Sequence, residues 1–143
     1  MTSAAVERPQ LVAIPPQHLA DVLRLPEVSG YLRDIELRHQ GELSVAAIAR
    51  EVLEQRWHFW LVWDGTAAAV LATEIYRDKG GDKRCRIPFC SGRDMDTWVG
   101  LISVIEQYAR ENGCRRLDMI ARKGWAKRLP AYKMTHVVLE RML

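Results

Sequence analysis

The chain is expected to fold as one α/β (α+β) domain over residues 1–143, on a mixed central sheet. Three observations carry that expectation. The 3.6-residue apolar period of Val45, Ile48, Ala49, Val52 and Leu53 switches to a strand-like run at Trp57–Trp63. Asp64-Gly65 then stands between two strand-like runs, a strong hairpin signal. Further on, a long helical stripe from Trp98 to Ala109 lies between two more strand-like runs. A hairpin followed by strand–helix–strand describes a mixed sheet.

Leu11 to Ile14 is a short apolar run stopped by Pro15 and Pro16, an edge strand or an extended lead-in. An N-terminal helical segment follows. His18 to Leu25 has helical spacing, and Pro26 ends or breaks it. Val28 to His39 is a second short helix with Tyr31, Leu32 and Ile35 on its apolar side, and Gly41 interrupts the pattern. Ser44 is the expected N-cap of a third helix running to about Arg56. Trp57 to Trp63 is apolar on both alternating faces, as in a strand buried on both sides, with Trp60 facing away from Trp57 and Trp63. Ala67 to Tyr76 is its antiparallel partner, and its alanines suggest a close neighbour. After the Gly80-Gly81 loop, Arg84 to Cys90 is the next strand, with Cys85, Ile87 and Phe89 expected on one side. Asp94 or Asp96 is expected to cap the one long helix, which Asn112-Gly113 closes. Leu117 to Ala121 is a strand, Lys123 to Leu129 the short C-terminal helix, and Thr135 to Leu143 a last alternating strand. In that strand Val137, Leu139 and Leu143 are expected inward, and His136 and Glu140 outward.

The 143 residues suit one core, with 48% hydrophobic and 27% charged residues. No apolar run is long enough to span a bilayer, so no membrane partner is expected. Met1 to Gln10 is polar, which argues against a signal peptide. A formal charge of +3 neither demands nor excludes a nucleic-acid partner. The three cysteines, Cys85, Cys90 and Cys114, are odd in number and loosely spaced, which suits buried thiols in a reducing compartment. They lack the close pairing of a zinc site, and the His residues at 18, 39, 58 and 136 are scattered, so no metal is expected.

The run Glu106-Gln107-Tyr108-Ala109-Arg110-Glu111-Asn112-Gly113-Cys114-Arg115-Arg116-Leu117 resembles the long helix of GNAT acyltransferases passing through glycine into the next strand. Arg122-Lys123-Gly124-Trp125, Ala131-Tyr132 and the ending Val138-Leu139-Glu140-Arg141-Met142-Leu143 are similar to GNAT-like proteins of tailed bacteriophages and prophages. Those are commonly encoded beside virion structural genes. The close match covers the last third of the chain; the rest rests on element order.

That resemblance implies an acetyl-CoA site whose pyrophosphate sits on backbone N–H groups at the start of the long helix. The corresponding loop is Ser91-Gly92-Arg93-Asp94-Met95-Asp96. Ser91, Gly92 and Arg93 are the implied phosphate contacts, and Gly92→Val would then abolish transfer in a folded protein. The family's second glycine is missing, and Asp94 and Asp96 bring negative charge to the phosphate position. Glu74 is the implied general base. Tyr132 is the implied acid only in an offset alignment; otherwise it matches the family's packing aromatic and the acid position falls at Lys127. Trp125 is a core anchor or a cover over an acyl tunnel.

Arg122, Lys123, Lys127 and Arg128 are the expected partner surface, within a stretch that also holds Arg115, Arg116 and Lys133. The first expectation is a virion or assembly component, in a virion or host cytoplasm, whose basic stretch docks on an acidic surface of another assembly protein. It would have an eroded acyl-CoA site and no cofactor. The alternative is an N-acyltransferase using acetyl-CoA, and a third reading is a small nucleic-acid-binding module.

Overall fold

The computed structural model describes residues 7–39, 41–122, 124–136 and 139–143. Six strands, β1 (Gln10–Ile14), β2 (Trp57–Trp63), β3 (Ala67–Arg77), β4 (Lys83–Ile87), β5 (Cys90–Gly92) and β6 (Arg116–Met119), form one sheet in the order β1-β2-β3-β4-β6, with β5 also pairing on β3. All pairings are antiparallel except β4 with β6, so the sheet is mixed as expected.

Strand β1 (Gln10–Ile14) is an edge strand on β2. A 3-10 turn at Pro16–His18 leads into α1 (Leu19–Leu23). Pro26 does not merely break a helix. It starts α2 (Pro26–Arg38), where its fixed φ and missing N–H are tolerated in the first turn. Helix α3 (Val45–Leu53) begins where Ser44 Oγ accepts the Ala47 N–H at 3.1 Å, the expected cap. These helices pack Val28, Leu32, Ile35, Ile48 and Val52 against Phe59, Leu61, Val70, Ala72 and Phe89 on one sheet face. Burying a ring such as Phe59 or Phe89 contributes about 1.5–3 kcal/mol.

Strands β2 (Trp57–Trp63) and β3 (Ala67–Arg77) form the central hairpin. Its connection is Asp64-Gly65-Thr66, one residue longer than a two-residue turn, with a register shift beside Trp63. Trp60 lies in the opposite core from Trp57 and Trp63, as the alternation requires. The close neighbours of the β3 alanines are α2 on one face and β5 along the edge. Tyr31 of α2 fixes the first, its hydroxyl donating to the Ala67 carbonyl at 2.8 Å.

The strand expected over Arg84–Cys90 is broken at Pro88-Phe89 into β4 (Lys83–Ile87) and β5 (Cys90–Gly92). The break reverses the side-chain phase. Cys85 and Ile87 are buried beneath the long helix, while Phe89 packs on the other face beside Trp57 and Phe59 at 6.0 and 6.4 Å. Proline cannot donate to a ladder, so a bulge there is its natural place.

The long helix also departs from expectation. Neither Asp94 nor Asp96 caps it: α4 runs Ile102–Glu111, and 3-10 turns occupy Met95–Thr97 and Val99–Leu101. Asp94 adopts a left-handed φ of 49°, which redirects the chain. Trp98, only 2% exposed, pins the turn by donating its indole N–H to the Arg93 carbonyl at 2.7 Å. The demands of burying that ring outweigh a straight helical start.

Gly113, at φ 78°, ends α4 as expected, and β6 (Arg116–Met119) then runs parallel to β4. The short helix α5 is Trp125–Arg128. The strand expected over Thr135–Leu143 is not formed by the described residues there, which are exposed and unpaired in the sheet. Leu139 and Leu143, expected inward, are 91% and 113% exposed. Apolar alternation needs a neighbouring strand to become a ladder, and among the described residues no strand pairs with these. Val137 and Val138 lie outside the described residues. Among the described residues no helix is long and apolar enough to cross a membrane.

Candidate functional site

The parallel pairing of β4 with β6 runs from Arg84↔Arg116 to Ile87↔Met119. The Ile120 N–H donates to the Ile87 carbonyl at 3.1 Å as the last tie. Beyond it β5 follows β3, away from β6. A cleft opens at this divergence, with a cavity of about 20 Å³ at its head, room for roughly one water-sized group. Its walls are the end of α2 (Arg38, His39), the bulge and β5 (Ile87, Phe89, Cys90), the end of β6 (Met119, Ile120, Ala121) and Trp125.

Arg38 Nη2 donates to Asp34 Oδ2 at 2.9 Å and reaches the Cys90 carbonyl at 3.5 Å. Ser91 Oγ donates to the same Asp34 oxygen at 3.2 Å. Arg38 Nε is buried without a hydrogen-bond partner among the described residues. Burial pushes the Cys90 thiol up to about 12, so at neutral pH it is a neutral wall and no thiolate nucleophile. Trp125 lines this cavity and also packs on Trp98, with centroids 6.0 Å apart. It is therefore both a core anchor and a cover of the cleft.

The loop Ser91–Asp96 is built differently from the phosphate cradle the sequence suggested. Gly92 pairs with Ala69, and a Cβ there would overlap Ala69 Cβ and the Ala68 carbonyl oxygen. The glycine is required by the approach of β5 to β3. Arg93 is committed to the hairpin turn. Its guanidinium donates to Asp64 Oδ1 at 2.9 Å, to Asp64 Oδ2 at 3.1 Å and to Thr66 Oγ1 at 2.6 Å. Asp64 is 7% exposed, and the Arg93 hydrogen bonds hold its carboxyl below the usual carboxylate range. Ser91 is buried and engaged with Asp34. Asp94 approaches Arg93 at 3.5 Å, and Asp96 accepts from Arg128 Nε at 2.7 Å. These residues do not fit a pyrophosphate: the one cation is neutralised, the glycine is filled from behind, and two carboxylates flank the position.

The proposed base and acid are not brought together. Tyr132 packs with Ile102, Ile105 and Leu117 beneath α4, its hydroxyl donating to Glu106 at 2.7 Å. Burial and then that carboxylate hold its phenol well above the usual range. Glu74 lies opposite Arg86 in the ladder, on the other sheet face from Thr73 and Tyr108. Neither Glu74 nor Tyr132 lines the cleft.

A polar cluster beside Glu74 was not singled out from sequence. Asp118 accepts from Tyr76 Oη at 2.6 Å and from Arg86 Nε at 2.7 Å, and the Arg86 guanidinium lies 4.5 Å over the Tyr76 ring. The alternation of Arg84 and Arg86 away from Cys85 was its only sequence signal. Arg38 and His39 had no signal at all, being far from the loop in sequence.

Of the proposed partner surface, Lys127 and Arg128 sit on α5, and Arg122 is exposed before it. Arg128 is tied to Asp96. Lys123 lies outside the described residues. The cysteines are free thiols. No group of metal-binding side chains occurs among the described residues.

No family model matches the chain, and no curated protein matches it by sequence. Solved structures do match. An aminoglycoside acetyltransferase from an uncultured soil metagenomic sample superposes with a TM-score of 0.67 at 11% identity, over 95% of this chain and 97% of that one. A ribosomal-protein-alanine N-acetyltransferase from Brucella melitensis biovar Abortus gives 0.63 at 11%, over 94% and 99%. An acetyltransferase from Trypanosoma brucei gives 0.62 at 14%, over 94% and 99%. At such identities the likeness is one of fold: the chain has the GNAT acetyltransferase fold.

Proposed function

We propose that the chain is an N-acyltransferase whose acyl group sits at the head of the cleft between β5 and β6. Its donor is an acyl thioester of the acetyl-CoA kind, gripped weakly at its phosphate end. The observation that carries this reading is the divergence of β5 from β6 after Ile87, with a small, mostly apolar cavity at that point. Strand edges freed in this way present backbone groups to an extended, amide-bearing arm much as they would to a strand. Whole-chain likeness to acetyltransferases supports the same reading.

The residues fit one end of such a co-substrate and not the other. The cleft suits a short acyl thioester and its amide arm, whereas loop 91–96 lacks a free cation or an open glycine for the phosphates. Calorimetric titration with acetyl-CoA should therefore give a Kd on the order of a millimolar, about 4 kcal/mol of binding free energy. Transfer to a panel of small amines should be measurable only at comparable donor concentrations. Low-micromolar binding would show that loop 91–96 rearranges into a phosphate cradle.

A second reading is favoured by the same internally satisfied loop and by the exposed C-terminal stretch. In it the chain is a binding component of a larger assembly, of the phage-virion kind its C-terminal motifs resemble. Arg122, Lys127 and Arg128 would then face an acidic partner protein. Absence of both binding and transfer at millimolar acetyl-CoA, with co-purification in an assembled particle, would select it.

A further inference from the structure

We propose that Arg38 positions the acyl group: its Nε–H donates to the carbonyl oxygen of a short, uncharged acyl group seated in the cavity between β5 and β6. The inference rests on the acyltransferase reading and adds a specificity-determining residue and a limit on acyl length.

The guanidinium is held before any ligand arrives. Its Nη2 is fixed by Asp34 at 2.9 Å and reaches the Cys90 carbonyl at 3.5 Å. Asp34 is itself held by Ser91 Oγ at 3.2 Å, so α2 and β5 set the plane together. The donors of a guanidinium form a rigid fork, so fixing Nη2 also fixes Nε. Nε is buried with no partner among the described residues, in a side chain that lines the cavity. Buried donors in folded proteins are nearly always satisfied, and one left over beside a cavity calls for an acceptor from outside the chain. The surrounding walls offer hydrocarbon from Ile87, Phe89, Met119 and Ile120.

Charge and size narrow the ligand. The Asp34 carboxylate already offsets the Arg38 charge, so a further carboxylate would enter an apolar site without a counter-charge. A carbonyl needs only the one N–H. A cavity of about 20 Å³ has room for about one water-sized group, so even an acetyl group reaches Nε only as Trp125 or Ile120 shifts, and a long chain would need a far larger displacement.

The test uses the whole chain, labelled with nitrogen-15, and S-acetyl-N-acetylcysteamine, an acetyl thioester with one amide and no phosphate. Titration should shift the Arg38 Nε–H resonance, assigned by its loss in Arg38→Lys, together with the Trp125 indole N–H. Arg38→Lys keeps a cation near Asp34 and should weaken binding about tenfold. The S-octanoyl thioester should bind at least tenfold more weakly than the acetyl one. An Arg38 Nε–H that stays still at saturating acetyl thioester, or no binding at any concentration, overturns the proposal without recourse to a variant. Equal affinity in a folded Arg38→Lys overturns it as well, since the buried Nε would then be meeting only water.

The two readings fail separately. If the thioester binds through Arg38 but acetyl-CoA is neither bound nor consumed, the acyltransferase reading fails and the Arg38 contact stands. If Arg38→Lys uses acetyl-CoA as well as the wild type, the contact fails and the acyltransferase reading stands.

Discussion

The two ends of the short strand β5 differ in how their polar groups are used. At its far end, Arg93 spends its guanidinium on Asp64 and Thr66, and Gly92 has its missing side chain filled by Ala69. At its near end, Arg38 closes a similar ion pair with Asp34 but keeps one buried donor beside a cavity. The far end is satisfied by its own partners; the near end keeps one buried donor unpaired among the described residues. A glycine and an arginine in a phosphate-binding position therefore say little until their partners are known. An unsatisfied buried group points to a ligand more strongly than a motif whose residues are already engaged with one another.

The most severe way to break this contrast is Gly92→Val. If the glycine serves strand packing, the variant should lose about 3 kcal/mol or more, because backbone and not a flexible side chain blocks the new atoms. Urea denaturation measures it. A stable variant that has merely lost acetyl-CoA binding would return Gly92 to the phosphate site.

Arg93→Ala probes the clasp at the same end. It leaves the buried Asp64 carboxylate with only Thr66, and should cost about 1–2 kcal/mol, tempered because Arg93 is 38% exposed. The pH dependence has a definite sign. Asp64 has a folded-state pKa below its unfolded value of about 3.9. Its contribution is therefore full above that value and is lost as pH falls through the folded pKa. Urea midpoints at pH 7 and pH 3 should differ more in the wild type than in Arg93→Ala. Equal differences would mean that the clasp adds nothing.

Much of the fold was legible because it rests on local chemistry. The Ser44 cap, the Asp64-Gly65 turn, the two-sided burial of Trp57–Trp63 and the exit at Gly113 follow from residue types within a few positions of one another. What misled was tertiary. Asp94 and Asp96 look like caps, but burial of Trp98 imposes 3-10 turns there. Pro88 reverses the phase of a strand that reads as continuous, moving Phe89 to the other core. Arg93 seemed free for a phosphate because Asp64, its partner, lies in a turn 29 positions away in sequence. The cleft was invisible for the same reason, since α2, β5 and β6 meet there only in three dimensions.

Tyr132→Phe separates packing from chemistry beneath α4. The hydroxyl donates to Glu106 in a half-buried setting, so its loss should cost about 1 kcal/mol. Because Tyr132 does not line the cleft, any acyl transfer should continue at the wild-type rate. Transfer abolished in a folded variant would restore Tyr132 as the acid and imply that the C-terminal stretch moves.

The smallest expected effect concerns α5. Reversing Lys127 and Arg128 together mixes two effects, because Arg128 Nε already donates to Asp96 at 2.7 Å. That pair is 42% and 78% exposed and is worth at most about 1 kcal/mol, but its reversal would set two carboxylates against each other. Lys127→Glu alone is the cleaner probe. Lys127 is exposed and makes no ion pair with the described residues, so stability should change by no more than about 0.5 kcal/mol. Under the assembly reading, the same change should slow association with an acidic partner, and the difference from wild type should fade as salt shortens screening to about 8 Å. Under the acyltransferase reading it should leave transfer unchanged, since Lys127 lies outside the cleft. One exposed charge thus tells the two readings apart: slowed assembly with a normal melting curve supports the first, and unaltered incorporation into a particle removes α5 from the partner surface.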